Sequence, residues 1–197
     1  IWTGEREEDI LRSQQYARFR GNFMEFFIIT DETPIARGSL TVEGDIAYIG
    51  HFEALPEKEE AVTKLFMELE RIAKEKGATT IITPRSDIMS LGLQIDGFDL
   101  PQTWRTPHNP DYYQEYFEKN GYRKKEDLLT FIMDKDTELE HFDDLDNIII
   151  RNFNTEDLEN EIGIFNQLNN AIFSSHENFT ARTLEEDTMI IGAMMPY

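Results

Sequence analysis

The sequence predicts a mixed fold of the α+β or α/β kind, a mostly antiparallel central sheet flanked by helices, and three observations carry that expectation. Three β-rich segments between residues 23 and 53 are joined by short turns, as in an antiparallel meander. A strongly amphipathic helix over 57–76 is followed by glycine and a short apolar run, which with the third strand makes a β-α-β unit. The 197 residues are 40% hydrophobic and 12% aromatic, enough for a packed core in one domain, or in one domain and part of another.

Each element has its own reason. Glu5 to Arg18 reads as an opening helix. Phe23 to Thr30 collects aromatic and β-branched residues and reads as a strand. Asp31-Glu-Thr-Pro34 turns the chain into a second strand, Ile35 to Val42, and Glu43-Gly44-Asp45 turns it into a third, Ile46 to Glu53. Pro56 opens the long helix, whose Ala61, Val62, Leu65, Phe66, Leu69, Ile72 and Ala73 fall on one face while Glu60, Lys64, Glu68, Arg71 and Lys74 fall on the other. Gly77 stops it, and Thr79 to Thr83 is a short buried strand, parallel to the third. An irregular segment over 84–108 leads to a second helix near 110–120, ended by Gly121. Asp127 to Met133 reads as the last strand of the domain.

Charge marks a boundary near residue 135. Residues 1–134 carry 16 basic and 25 acidic side chains, a balance of −9, whereas 135–197 carry 3 and 14, a balance of −11. The organisation expected is a domain over 1–134, an acidic linker over 135–146, and a further region over 147–197. In that region 147–152 reads as a strand, Asn154 to Asp157 as the cap and acidic first turn of a helix reaching Phe173, and 188–195 as a strand. About fifty such residues bury little core alone.

The net charge of −20 opposes binding to polyanions and anionic membrane surfaces, so neither nucleic acid nor membrane is an expected partner. The densest basic run, Arg123-Lys124-Lys125, is followed at once by Glu126 and Asp127. With no cysteine there is no disulfide or thiolate chemistry. The absence of a membrane-length apolar run and of a signal-like start makes a cytoplasmic protein the expectation, and the missing initiator methionine that of a trimmed or partial chain. No metal is expected, since His51, His108, His141 and His176 lack ligand spacing, and no Walker, Rossmann or Gly-x-Ser-x-Gly fingerprint is present.

The run Ile46-Ala-Tyr-Ile-Gly-His-Phe-Glu-Ala-Leu-Pro56 with its helix, Lys74-Glu-Lys-Gly-Ala-Thr-Thr-Ile-Ile82, and Asn109-Pro-Asp-Tyr-Tyr-Gln-Glu-Tyr-Phe-Glu-Lys-Asn-Gly-Tyr122 resembles the GNAT superfamily of acetyl-CoA-dependent N-acyltransferases over residues 23–133. Ile148 to Leu158 and Met189 to Tyr197 resemble a second, incomplete copy, so the resemblance implies a tandem pair with a partial copy at the C-terminus.

The resemblance implies acetyl-CoA or another acyl-CoA as cofactor and a small-molecule or peptide amine as acceptor. The backbone at Ala54 and Leu55 would hold pantetheine, the helix start at Glu57 and Lys58 the pyrophosphate, and Asn109 would open the helix that closes the site. His51 or Glu53, of one parity on the central strand, would be the general base, and Tyr116 the candidate acid. Two departures stand out. The family's glycine-rich phosphate loop is here Pro56-Glu-Lys-Glu-Glu-Ala-Val62, with three glutamates where an anion would sit. The family's thiolate-protonating tyrosine position is Phe117, and Tyr116 is about 100° away round the helix. Tyr112, Tyr113 and Tyr116 otherwise read as packing residues. The 84–108 loop, with Asp96, Trp104, Arg105 and His108, is the candidate acceptor pocket.

Three functions follow: an N-acyltransferase, with a second copy in a homodimer among its candidate partners; a degenerate, non-catalytic domain that binds a ligand or scaffolds a catalytic copy; and an acidic interaction module resting on charge alone.

Overall fold

The computed structural model describes residues 7–86, 91–101, 106–137, 149–176 and 179–194. Contacts divide the chain into two units, Ile1–Ile132 and Met133–Tyr197.

In the first unit, α1 (Glu7–Phe19) leads into a meander of β1 (Phe23–Asp31), β2 (Thr33–Glu43) and β3 (Ile46–Ala54), followed by α2 (Glu59–Glu75), β4 (Thr80–Ile82) and α3 (Tyr113–Lys119). The four strands form one sheet in the order β1-β2-β3-β4, antiparallel except for the parallel β3–β4 pair. The expected fold class is therefore present. The β2–β3 hairpin closes on two residues, because Gly44 takes φ +60° and Glu43 pairs with Ile46.

One face of the sheet is the core. Even-numbered Ala36, Leu40 and Val42 of β2 meet Val62, Leu65, Phe66, Leu69 and Ala73 of α2, as the helical spacing requires. On β3 the alternation breaks. Ala47 and Ile49 face this core, but so do Phe52 and Ala54. The cause is a bulge: Arg37 pairs with Glu53 and Ser39 with Gly50, so two residues, His51 and Phe52, oppose Gly38 alone, and His51 takes φ +47°. Phe52 then sits among Phe66, Tyr113 and Phe117, with ring centroids 5.3, 5.0 and 5.0 Å away.

Beyond Tyr48, where the β4 ladder ends, the chain crosses directly over Gly50. The amide of Arg85 donates to the Ile49 carbonyl at 2.8 Å, and a Cβ on Gly50 would lie 2.1 Å from the Arg85 carbonyl oxygen. Arg85 also lays its guanidinium over the Tyr48 ring, 4.0 Å from the centroid.

Some expectations are corrected. Residues 127–133 form no strand: among the described residues the stretch has no strand partner, and its large apolar side chains are exposed. β4 is half-buried rather than buried. In the second unit, 149–152 are likewise unpaired, and Ile149 and Ile150 are exposed. Of the expected strand over 188–195, residues 188–194 belong instead to a helix, α5 (Leu184–Met194), preceded by α4 (Leu158–Phe173), and 195 lies outside the described residues. The reason is a capping box: the Thr183 amide donates to Glu186 Oε2 at 2.6 Å, and the Glu186 amide to Thr183 Oγ1 at 3.2 Å. Asn154 does cap a helical turn, Thr155–Asp157, by accepting from the Glu156 amide at 3.1 Å. Asn170 clamps the loop before α5, exchanging two hydrogen bonds with the backbone of Arg182, whose Nε reaches the fully buried Asp187 at 2.6 Å. Most of the acidic linker, residues 138–146, lies outside the described residues.

Two glycines of the meander should respond differently to a methyl group. Gly50→Ala must displace backbone and should cost about 3 kcal/mol or more. Gly38→Ala meets Leu69 Cδ1 at 3.4 Å, Leu65 Cδ2 at 3.6 Å and the Gly50 carbonyl oxygen at 3.8 Å, ordinary contacts, and should change stability by about 1 kcal/mol or less. Urea denaturation of the two variants checks the contrast.

Candidate functional site

The candidate site is the half of β3 that lies beyond its pairing with β4. Its first residues, Ile46 to Tyr48, pair with Thr80 to Ile82, but from Ile49 onward β4 is no longer beside it. Backbone groups on that side need other partners. Ile49 O accepts from the Arg85 amide and from Thr83 Oγ1 at 3.1 Å, and the His51 amide donates to Ser86 Oγ at 2.9 Å.

The far end is served by α3. The Ala54 amide donates to the Tyr113 hydroxyl at 3.0 Å, and the Tyr112 hydroxyl donates to the Ala54 carbonyl at 2.9 Å. The Tyr116 hydroxyl donates to the Leu55 carbonyl at 2.7 Å and accepts from the Lys58 amide at 3.2 Å. Three phenols of one short helix thus saturate the end of β3 and the approach to α2. Tyr113 and Tyr116 are buried. They do join the apolar core, as their spacing suggests, but each also has a polar task.

Tyr113, Tyr112 and Tyr122 all have hydroxyls pushed above the usual phenol range. Burial is the main cause in each case, opposed at Tyr113 by the hydrogen bond from Ala54 and reinforced at Tyr122 by the Glu70 carboxylate, which its hydroxyl reaches at 2.9 Å.

The structure brings His51 and Glu53 to the same face, away from α2. The His51 ring lies 5.3 Å from Phe26, and Glu53 is tied to its cross-strand neighbour Arg37, Nε to Oε2 2.9 Å. Cross-strand pairing puts Phe26 opposite Ser39, which has the parity of Arg37, so the two contacts lie on one side of the sheet. Both His51 and Glu53 are buried. The arrangement owes its form to the bulge, and Arg37 was not singled out by the sequence.

At the α2 start, Glu57 is exposed with φ +59°, and Lys58 occupies the N-cap position without a capping side chain. Glu59 and Glu60 fill the first turn with negative charge, which suits the helix dipole. Phe117 is buried between Phe52, Phe66 and Tyr122.

Asn109 is buried and works on the loop: its Oδ1 accepts from the Gln94 amide at 2.8 Å and its Nδ2 donates to the Gln94 and Pro110 carbonyls. Asp96 is exposed and closes a turn by accepting from the Gly97 amide at 2.7 Å. His108 is exposed. Trp104 and Arg105 lie outside the described residues, so the acceptor pocket expected there is not assembled from described side chains. Among the described residues, no group of three histidines or carboxylates could hold a metal ion, and no helix is long and apolar enough to cross a membrane.

The phenols predict a stability signature. Tyr113→Phe leaves the Ala54 amide buried without its acceptor and should cost about 1–3 kcal/mol in urea denaturation. Because the folded state holds these phenols protonated above their unfolded value, the unfolded chain ionises first. Stability should therefore be complete below about pH 10 and fall as pH rises beyond it, less steeply in Tyr113→Phe.

No family model matches the chain. Over 93 residues it is 32% identical to Protein YghO of Escherichia coli (strain K12); the stretch takes in 46% of this chain and 24% of that protein, so the chain spans about a quarter of that relative's length. Among solved structures, a proposed acetyl transferase from Pyrococcus furiosus resembles it over 64% of this chain and 76% of that one, with TM-score 0.41 at 18% identity.

Proposed function

We propose that the first unit is an acyltransferase-like domain that serves as a non-catalytic, ligand-binding or scaffolding part of its protein. The observation that carries this reading is the closure of the β3 end by Tyr112, Tyr113 and Tyr116. An acyl-CoA would pair its pantetheine amides with the backbone at Ala54 and Leu55, where those phenols already sit, and would set its pyrophosphate against Glu57, Glu59 and Glu60. The residues present do not fit that cofactor, and no acyl-transfer step is assigned to them.

The second reading is an N-acyltransferase acting on a small-molecule or peptide amine, with His51 or Glu53 as base. Its support is the shared face of these two residues beside the parting of β3 and β4. A base already engaged with Arg37 at 2.9 Å is a less available proton acceptor, which favours the first reading.

Thermal unfolding of the full chain with coenzyme A and with acetyl-CoA separates the two. A ligand bound by the native state alone adds about 2.7 kcal/mol at a concentration of about 100 Kd and must raise the midpoint. The expected outcome is an unchanged midpoint with either compound; a rise that His51→Ala or Glu53→Gln leaves intact while abolishing acetylation of amines would establish the enzyme instead.

A further inference from the structure

We infer that the cavity between α1 and the outward face of the β2–β3 hairpin binds a small zwitterion, a molecule of amino-acid size carrying one carboxylate and one ammonium group. The inference rests on the ligand-binding form of the reading above and adds to it the class of ligand.

The cavity lies on the side of the sheet away from α2. On β2 the even-numbered side chains meet α2, so Thr41 and Glu43 point the other way, and Tyr48 is the cross-strand neighbour of Thr41. Tyr16 of α1 supplies another wall, and Arg85 and Ser86, from the segment that crosses Gly50, supply a third. The space measures about 380 Å³ with its mouth included, room for an amino acid and not for a nucleotide.

Two opposite charges face this space without meeting each other. Arg85 is fixed through its backbone amide, held by the Ile49 carbonyl at 2.8 Å, and its guanidinium carbon lies 4.0 Å from the centroid of the Tyr48 ring. That contact places the cation without consuming its N–H donors, and among the described residues none of them is given to a carboxylate or a carbonyl. Ser86 Oγ accepts from the His51 amide at 2.9 Å, which leaves its hydroxyl hydrogen to donate. Glu43 supplies the other sign. Its Oε1 accepts from Asn22 Nδ2 at 2.8 Å, and Oε2 is left as an acceptor. Strand geometry keeps the two charges apart: Glu43 is two residues, about 7 Å, along β2 from Thr41, and the guanidinium lies over Tyr48, the partner of Thr41. No Arg85 nitrogen comes within 4.0 Å of a Glu43 oxygen.

These charges select against simpler ligands. A lone carboxylate or phosphate would meet Glu43 and a chain of net charge −20, and a lone amine would meet Arg85. A zwitterion answers both and, being neutral overall, enters that field without penalty. Its carboxylate takes the guanidinium fork together with the Ser86 hydroxyl, and its ammonium takes Glu43.

The test is isothermal titration of the full chain with the common α-amino acids, β-alanine and γ-aminobutyrate, each beside the acid that lacks its amino group and the amine that lacks its carboxylate. A zwitterion should bind about tenfold or more tightly than either single-charge analogue, and Arg85→Gln should weaken it about tenfold or more. Glu43→Gln, which keeps an oxygen for Asn22, should bring the zwitterion down to the affinity of its deaminated analogue and leave that analogue no weaker, a change of selectivity that a merely structural role would not produce. Should Arg85→Gln fail to fold, Arg85→Lys keeps a cation beside Tyr48, loses the fork, and should also weaken binding. Binding by none of the zwitterions, equal binding of a single-charge analogue, or binding that survives both substitutions would each overturn the site. Coenzyme A is scored separately: a midpoint raised by it would overturn the non-catalytic reading of the β3 end and leave the result at this cavity unchanged.

Discussion

A strand whose neighbour stops short must find other partners for the rest of its backbone, and that constraint governs the first unit. β4 accompanies β3 only as far as Tyr48. Everything placed beside the remainder of β3 can be understood as an answer: Thr83, Arg85 and Ser86 close over Ile49 and His51, and the phenols of α3 close over Ala54 and Leu55. Gly50 is a glycine because the first of these crossings passes within Cβ distance of it. The position of α3, the ring cluster round Phe52 and the route of the loop after β4 all follow from satisfying one strand.

The bulge at His51 is the second determinant. By inserting one residue it hands Phe52 to the core and leaves Glu53 on the opposite face beside Arg37. The same irregularity therefore builds the aromatic centre and assembles the polar face. A substitution that removed it would exchange the faces of Phe52 and Glu53, burying a carboxylate among Phe66 and Phe117, an arrangement that costs far more than the local strain at φ +47°.

Much of the fold was legible because its signals are local. The apolar face of α2, the glycine after it and the turn at Gly44 are short-range patterns, and each element lies within a few residues of where its pattern puts it. Strand formation was harder to read, since a strand needs a partner that sequence alone does not supply: 127–133 and 149–152 are rich in β-formers yet unpaired among the described residues. The helix at 184–194 shows a different failure. Its apolar run resembled a strand, while the Thr183-Leu-Glu-Glu186 box that nucleates it was present in the sequence and outweighed. At the site, the common face of His51 and Glu53 was anticipated from parity, but the bulge, Arg37 and the hydroxyl tasks of Tyr112, Tyr113 and Tyr116 depend on contacts between distant segments.

Those contacts also fix an order of events. The hydroxyl bonds from α3 join residues 58 to 61 positions apart, across the whole of α2, β4 and the following loop. Closing so long a span carries a large entropic cost before any bond is gained, so the meander and α2, with their nearer contacts, assemble first. The end of β3 is then among the last regions to be sealed. During synthesis the Ala54 amide remains open to water until the chain has grown past Tyr113, whereas the Leu55 amide is already held by Ile35 of the meander, and any ligand for that edge would have to compete with the protein's own completion.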